Sequence, residues 1–312
     1  MIDPPKVTPP PEEDDLPEEP RGAGRLIARF FLVPLLVVGA AVAIFLVFNL
    51  MTFERRSPGD YLAEVRGGTA SRRWQAAFEL SRSLGAMAPE ERAALAAETL
   101  RIFEGLSSKR PDDVPVRRYL VLVLGRLGDR AAVPALLQAA RDPDPDTALY
   151  AVWALGKLGD PAAVDAVVET SQSEDAGARK MAAYVLGQLG DPRAVPRLRV
   201  LAEDRVADVR WNAAIGLAEL GDRTGLPVLR SMIDRAALAR QAEMSSEQTE
   251  AAMVNALKAL ALLKDPETLP FLDSLAKSDP NLRVREAARI AADATRGRAA
   301  KRLERPDAVL VG

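Results

Sequence analysis

The side chains in this sequence whose types and spacing could do chemistry are arginines and aspartates. Asp113, Asp144 and Asp175 are spaced 31 residues apart, and arginines recur shortly after such positions, at Arg73, Arg117, Arg179, Arg210 and Arg285. A guanidinium can grip the carboxylates of an acidic partner, or it can pair with an aspartate of its own or the next repeat. Evenly spaced opposite charges favour the structural pairing. We keep Arg117, Arg179 and Arg210 as candidate partner-binding residues.

Aromatic side chains form the second group of interest. Trp153, Trp211 and Tyr184 lie in segments rich in Ala and Leu. Such residues line a core or a groove, and the alternative is that they are exposed anchors for a partner protein. All three are therefore candidate partner-binding residues.

Much of enzyme chemistry is excluded by composition. The chain has 312 residues with no Cys and no His, which removes thiol nucleophiles, imidazole bases and the usual zinc ligands. Asp142, Asp144 and Asp146 lack the glycine and the final glutamate of a calcium loop, so we interpret them as a turn. The net charge of -2 predicts no nucleic-acid partner. We predict no catalytic residue, no metal, no cofactor, and a protein that is not an enzyme.

An internal repeat determines the predicted fold. Leu-Gly-Asp occurs at residues 127–129, 158–160, 189–191 and 220–222. Each copy predicts the end of a first helix, helix A, at a left-handed glycine, followed by a turn capped by the aspartate and a second helix, helix B. Small residues two positions before the leucine, such as Gly125, Gly156 and Gly187, predict the close approach of the paired helix.

A two-helix unit cannot bury its own apolar faces, so the units must stack. The sequence predicts an all-α fold, an α-solenoid of about six two-helix units followed by a capping helix at residues 280–297. The predicted units are residues 69–107, 112–142, 143–173, 174–204, 205–249 and 250–279.

The pattern resembles the HEAT-repeat superfamily, in particular the short PBS-lyase HEAT-like type. The resemblance covers residues 69–297 and is carried by the helix A start at residues 209–214, by Leu-Gly-Asp, and by the helix B start at residues 194–196. It implies an arginine–aspartate ladder. Some relatives attach bilins to antenna proteins, and others hydroxylate a protein lysine through His-Glu metal ligands, which this chain lacks.

The remaining segments have other compositions. Residues 1–25 are acidic and proline-rich and predict a disordered tail, and residues 298–312 predict a C-terminal tail. Residues 26–54 predict a transmembrane helix, because the uncharged run 30–53 would span about 36 Å. A signal peptide is the alternative, but its apolar region is shorter. Residues 55–68 predict a linker to the repeats.

These expectations define a function. We predict a single-pass protein of a bacterial inner membrane, with the solenoid outside the cytoplasm, although arginines on both sides of the helix leave the orientation open. It would act as a scaffold or adaptor for a partner protein or membrane complex, through the helix B face and the insertion at residues 235–250. The alternative is a bilin-lyase-like enzyme or enzyme subunit.

Overall fold

The computed structural model describes residues 28–52, 56–241 and 244–297 and contains no strand within them. The tails predicted at residues 1–25 and 298–312 lie outside these ranges. The chain divides into two compact parts, one ending at Arg56 and the other beginning at Ser57.

The first part contains one long helix. A single π-helical turn, Ala28–Leu32, leads into α1, Val33–Thr52. Every side chain from Phe30 to Val47 is exposed, and this stretch is long and apolar enough to cross a membrane. The apolar helix predicted here is therefore present over the described residues.

The second part is built only from helices and turns in the residues that the structure describes. The α-helices are α2 Pro58–Gly67, α3 Ala70–Ser83, α4 Pro89–Glu104, α5 Val114–Leu127, α6 Val133–Ala139, α7 Pro145–Leu158, α8 Val164–Thr170, α9 Ala176–Leu189, α10 Val195–Leu201, α11 Ala207–Glu219, α12 Leu226–Met232, α13 Arg235–Gln241, α14 Ser246–Leu263, α15 Leu269–Ser278 and α16 Leu282–Thr295.

These helices confirm the predicted solenoid. The A helices are α3, α5, α7, α9, α11 and α14, and the B helices are α4, α6, α8, α10, α12 and α15. Each A helix packs on the next A helix, each B helix packs on the helix that begins the following unit, and α16 packs on α14 and α15 as the last described helix. Six pairs stacked in a row, followed by a cap, match the expected architecture.

The turn between helices A and B forms as the sequence predicts. Gly128, Gly159, Gly190 and Gly221 have φ angles of 76°, 62°, 65° and 74°, the left-handed region that glycine adopts without strain. The next residue caps the following 3-10 turn: the Asp191 carboxylate accepts the backbone N–H of Arg193 at 2.9 Å. Three equivalent aspartates make the same bond at 2.9 Å, namely Asp129, Asp160 and Asp222.

The structure corrects the prediction of a linker at residues 55–68, because this segment contains the helix α2. Ser57 forms a capping box with Asp60 at the start of this helix, and Leu62 and Val65 are buried. Helix α2 packs on α3, and Arg73 of α3 donates to the carbonyl oxygen of Val65 at 2.9 Å. The first A helix has no preceding unit, so a further helix is needed to cover its apolar side.

The insertion at residues 235–250 does not simply extend the preceding helix B, which ends at Met232. It forms a separate short helix, α13, in which Leu238 is buried in the same cluster as Met232 and Met253. Arg235 binds both carboxylate oxygens of Asp279 at 2.8 and 2.9 Å. The first residues of the insertion, Arg235 to Leu238, are therefore part of the packed structure.

Candidate functional site

The arginines at the start of the A helices are held in ion pairs within the solenoid. Arg117 donates to Asp142 at 2.7 and 3.1 Å, and Arg179 donates to Asp204 at 2.7 and 3.1 Å. The Arg179 and Asp204 side chains are only 9% and 10% exposed. Each acid lies three residues beyond the end of helix B of the arginine's own unit, 25 residues after the arginine. Arg117 and Arg179 thus connect the two helices of a unit.

Of the three evenly spaced aspartates, Asp113 pairs with Arg73 at 3.1 Å, whereas Asp144 and Asp175 pair with neither Arg117 nor Arg179 among the described residues. Asp175 accepts the backbone N–H of Ala178 at 2.7 Å at the start of α9. Asp144 caps α7 through Thr147 and binds Arg118 of the preceding unit at 2.6 and 2.7 Å. The Arg118 guanidinium, with Thr147, lowers the pKa of Asp144 to about 2, so this carboxylate is ionised near neutral pH.

Arg210 lacks an acid at the equivalent position of its own unit. Its guanidinium donates to the carbonyl oxygens of Asp204 and Arg205 at 2.7 and 3.1 Å. The residue 25 positions downstream is Arg235, which reaches Asp279 of the next unit instead. The insertion thereby supplies the arginine that α14 lacks, since Met253 stands where α5, α9 and α11 carry one.

The three aromatic candidates have different locations. Trp211 is 6% exposed and belongs to the buried cluster of the C-terminal units. Within the described residues, its Nε1 is buried without a hydrogen-bond partner. Trp153 is half-buried, whereas Tyr184 is 40% exposed and its hydroxyl accepts a hydrogen bond from Gln188 at 2.7 Å. Trp153 and Tyr184 are thus accessible to a partner, and Trp211 is not.

Successive A helices approach one another closely at the small residues. A Cβ placed on Gly125 would lie 2.7 Å from the Cβ of Ala154, and one on Gly187 would lie 2.7 Å from the Cα of Gly216. The close approach is therefore present, but its predicted partner is wrong: it joins A helices of neighbouring units and not the paired helices of one unit. Successive B helices make few direct contacts.

The outward surface of these A helices carries a row of large apolar side chains, which we call the A face. It is formed by the residue five positions before the leucine of Leu-Gly-Asp in successive units. In α3 it is formed by the residue five positions before Ser83, the last residue of that helix. These residues are half-buried or exposed and are Phe78, Leu122, Trp153, Tyr184 and Ile215. Ile290 of the capping helix is exposed at the equivalent position, and Lys258 interrupts the row in α14.

Aromatic contacts connect neighbouring units along the A face. The ring of Tyr119 lies 5.1 Å from that of Phe78 and 6.5 Å from that of Trp74. The ring of Trp153 lies against α5 at Gly125, where a Cβ would be 3.0 Å from it. Rings held in this way offer contact area at little further entropic cost.

Three cations border the aromatic part of the A face. Arg82 lies 5.3 Å from the ring centre of Phe78, and the Nζ of Lys157 lies 5.8 Å from that of Trp153. Arg126 donates to the carbonyl oxygen of Ser81. None of these three cations is paired with a carboxylate in the part of the chain that the structure describes. The A face thus combines apolar rings with unpaired positive charge.

The sequence reasoning identified Trp153 and Tyr184 but missed Phe78, Leu122 and Ile215. Counting back from the repeated Leu-Gly-Asp would have found Leu122 and Ile215, because they share one register with Trp153. No group of three or more Asp or Glu side chains in the described residues could hold a metal ion.

The geometry defines a helical-repeat solenoid, and comparison with known proteins specifies the repeat. Residues 102–180 and 169–247 match HEAT repeats. The fold of this chain is therefore that of a HEAT-repeat solenoid. No curated protein sequence matches the chain as a relative.

Two solved structures share the fold. The complex of CpcE and CpcF of phycocyanin lyase from Nostoc sp. PCC7120 is 18% identical with a TM-score of 0.51, covering 77% of this chain and 95% of that chain. Escherichia coli YibA is 16% identical with a TM-score of 0.50, covering 75% of this chain and 81% of that chain. Because one of the two is a lyase, the prediction that this chain is not an enzyme has no support from the comparison.

Proposed function

We propose that this protein is a scaffold whose A face binds a segment of a partner protein that is both apolar and acidic. The observation that carries the proposal is the row from Phe78 to Ile215, with Arg82, Arg126 and Lys157 unpaired beside it. Apolar side chains of the partner would cover the rings, and its carboxylates would meet the cations. The lyase of similar fold is itself a complex of two named proteins, which also supports a protein partner.

The A face replaces the helix B face in this proposal for a physical reason. Binding a partner requires large side chains that are held in place. The A helices carry such side chains in one register across five units. The arginines Arg117 and Arg179 are occupied by Asp142 and Asp204 and are not assigned to the partner. Their role in this account is to hold the helices that present the A face.

Replacing Trp153 and Tyr184 together by alanine should remove the centre of the binding surface. The full chain, purified from a detergent extract of its native cells, would be compared with this double variant by quantitative mass spectrometry of bound proteins. Loss of two aromatic anchors should reduce recovery of the partner by about 30-fold. The control is Val200→Ala, because Val200 is 57% exposed on the B helix α10. Unchanged recovery with the double variant would refute the assignment.

The second half of the proposal is that α1 anchors the scaffold in a membrane. Its length and its uniformly apolar, exposed surface from Phe30 to Val47 support this, and a signal sequence has the same features. The full chain should remain in the membrane pellet after alkaline carbonate washing and should keep residues 1–27 when its mass is measured. A soluble protein shortened at its N-terminus would show a cleaved signal instead.

The bilin-lyase alternative has a direct signature in the same material. A bilin bound to the chain would give absorbance in the visible region that co-purifies with it. We expect a colourless protein when it is prepared from bilin-producing cells. A retained chromophore would favour the enzyme hypothesis over the scaffold.

A further inference from the structure

The charge along one edge of the A face changes sign from the first units to the later ones. The edge consists of the residue directly before the leucine of Leu-Gly-Asp and, in α3, of the residue directly before Ser83. In chain order these residues are Arg82, Arg126, Lys157, Gln188 and Glu219. Three cations are followed by an amide and then by a carboxylate. A partner lying along the A face therefore meets positive charge at one end and negative charge at the other.

A cleft opens on the A face where the row of cations ends. It has a volume of about 220 Å³ and lies between α9, α11 and α14. Its apolar walls are Ile215, Gly216, Ala259 and Leu262, and its polar groups are Tyr184, Gln188, Asn212, Glu219, Asn255 and Lys258. This volume is below the range of about 300–1,000 Å³ that is typical of small-molecule sites. The cleft fits one side chain.

Glu219 is the acidic group of this cleft. Its Oε2 lies over the seam between α9 and α11, 3.0 Å from where a Cβ of Gly187 would stand. Among the described residues it makes no ion pair. Glu219 as a residue is exposed, and partial burial of its carboxyl group raises the pKa of that group. A partly desolvated carboxylate that has no ion pair is stabilised when a cation arrives.

Lys258 is the other charged group of the cleft, and its situation is different. It is exposed on α14 and makes no ion pair with Glu219 or any other carboxylate in the described ranges. A long, solvated lysine can turn away from the cleft at little cost. Its charge would oppose a cation entering the cleft and would attract an anion, which gives the two kinds of occupant opposite responses to its removal.

We propose that the cleft accepts one arginine or lysine side chain of the partner, held by Glu219 against the ring of Tyr184. Together with the cations at the other end, this fixes the direction of the partner on the A face: its acidic part lies over Arg82, Arg126 and Lys157, and its basic side chain enters the cleft. Charge order of this kind selects one orientation and disfavours the reverse. The biological meaning of this inference rests on the proposed function.

The test uses the cleft without any partner, so its failure can be told apart from that of the proposed function. The full chain in detergent micelles would carry ¹³C-labelled isoleucine methyl groups, with Ile215 in the cleft as reporter and Ile102 on the B helix α4 as reference. N-acetyl-arginine amide and N-acetyl-glutamate amide would be titrated separately. We expect a saturable shift of the Ile215 methyl group with the arginine compound only.

Two variants sharpen the result. Glu219→Gln should weaken binding of the arginine compound by about five-fold, and Lys258→Ala should strengthen it by about two-fold. Asp165→Asn removes one negative charge from the B helix α8, where Asp165 is 87% exposed, and should have no effect. No saturable shift with the arginine compound would overturn the proposal. So would a shift with the glutamate compound that Lys258→Ala abolishes.

Discussion

Replacing Arg179 by alanine should lower the free energy of unfolding by about 3 kcal/mol or more. The guanidinium binds both oxygens of Asp204 and donates to the carbonyl oxygens of Ser173 and Glu174. Its removal leaves a carboxylate that is only 10% exposed without a cation. Denaturant unfolding of the full chain in detergent, followed by helical circular dichroism, measures the effect.

The chain contains its own control for this prediction. In the unit of α7 and α8, the positions of Arg179 and Asp204 are taken by Ala148 and Ser173. The Ser173 hydroxyl accepts the backbone N–H of Asp175 at 3.1 Å, as the Asp204 carboxylate accepts that of Val206 at 2.8 Å. Serine therefore keeps the local bond without a buried charge. Arg179→Ala combined with Asp204→Ser should recover at least half of the lost stability, and a double variant no better than Arg179→Ala would contradict this account.

Replacing Gly187 by alanine should also destabilise the solenoid, against the usual trend. In an unobstructed helix this change raises the free energy of unfolding by about 1 kcal/mol, because alanine is the better helix former. Here the added Cβ would lie 2.7 Å from the Cα of Gly216, a backbone atom that cannot move alone. Overpacking of this kind should outweigh the better helix propensity and lower the free energy of unfolding by about 1–3 kcal/mol.

The control for Gly187 is Gly85→Ala. Gly85 has no atom within 4 Å of its added Cβ and does not have a positive φ angle. Its effect on unfolding should stay within about 0.5 kcal/mol. If Gly187→Ala instead raised the free energy of unfolding, this result would contradict the close packing of α9 on α11.

The repeat itself could be predicted from the sequence because its signals are local. A glycine that must be left-handed and an aspartate that caps the next turn act within a few residues, as Gly190 and Asp191 show. The small residue of helix A was also readable, since its register repeats. That it faces the next A helix, as Gly187 faces Gly216, depends on how the units stack.

The ends and the insertion could not be read from the repeat. Helix α2 has only a few apolar residues, and what makes it pack is the uncovered side of α3, which belongs to tertiary structure. The alternation of Asp142, Asp144 and Asp146 gives no means of choosing which carboxylate meets Arg117. Trp211 is buried in a cluster that includes Leu238 of the insertion, so its role depended on where the insertion lies.

The A face itself was only partly accessible to sequence reasoning. Trp153 and Tyr184 stand out by residue type, whereas Leu122 and Ile215 are ordinary residues of an apolar helix. Their exposure follows from the packing of A helices through small residues, which turns one register of every A helix toward solvent.

The central claim, that a partner docks on the A helices, is tested most directly by crosslinking in native membranes. A photoreactive benzoylphenylalanine would replace Leu122 or Ile215 on the A face, and Val200 or Phe271 on the B helices, where both are exposed. We predict that the two A-face positions capture the same protein and that the B-helix positions do not. Capture at Val200 and Phe271, with none at Leu122 and Ile215, would contradict the claim.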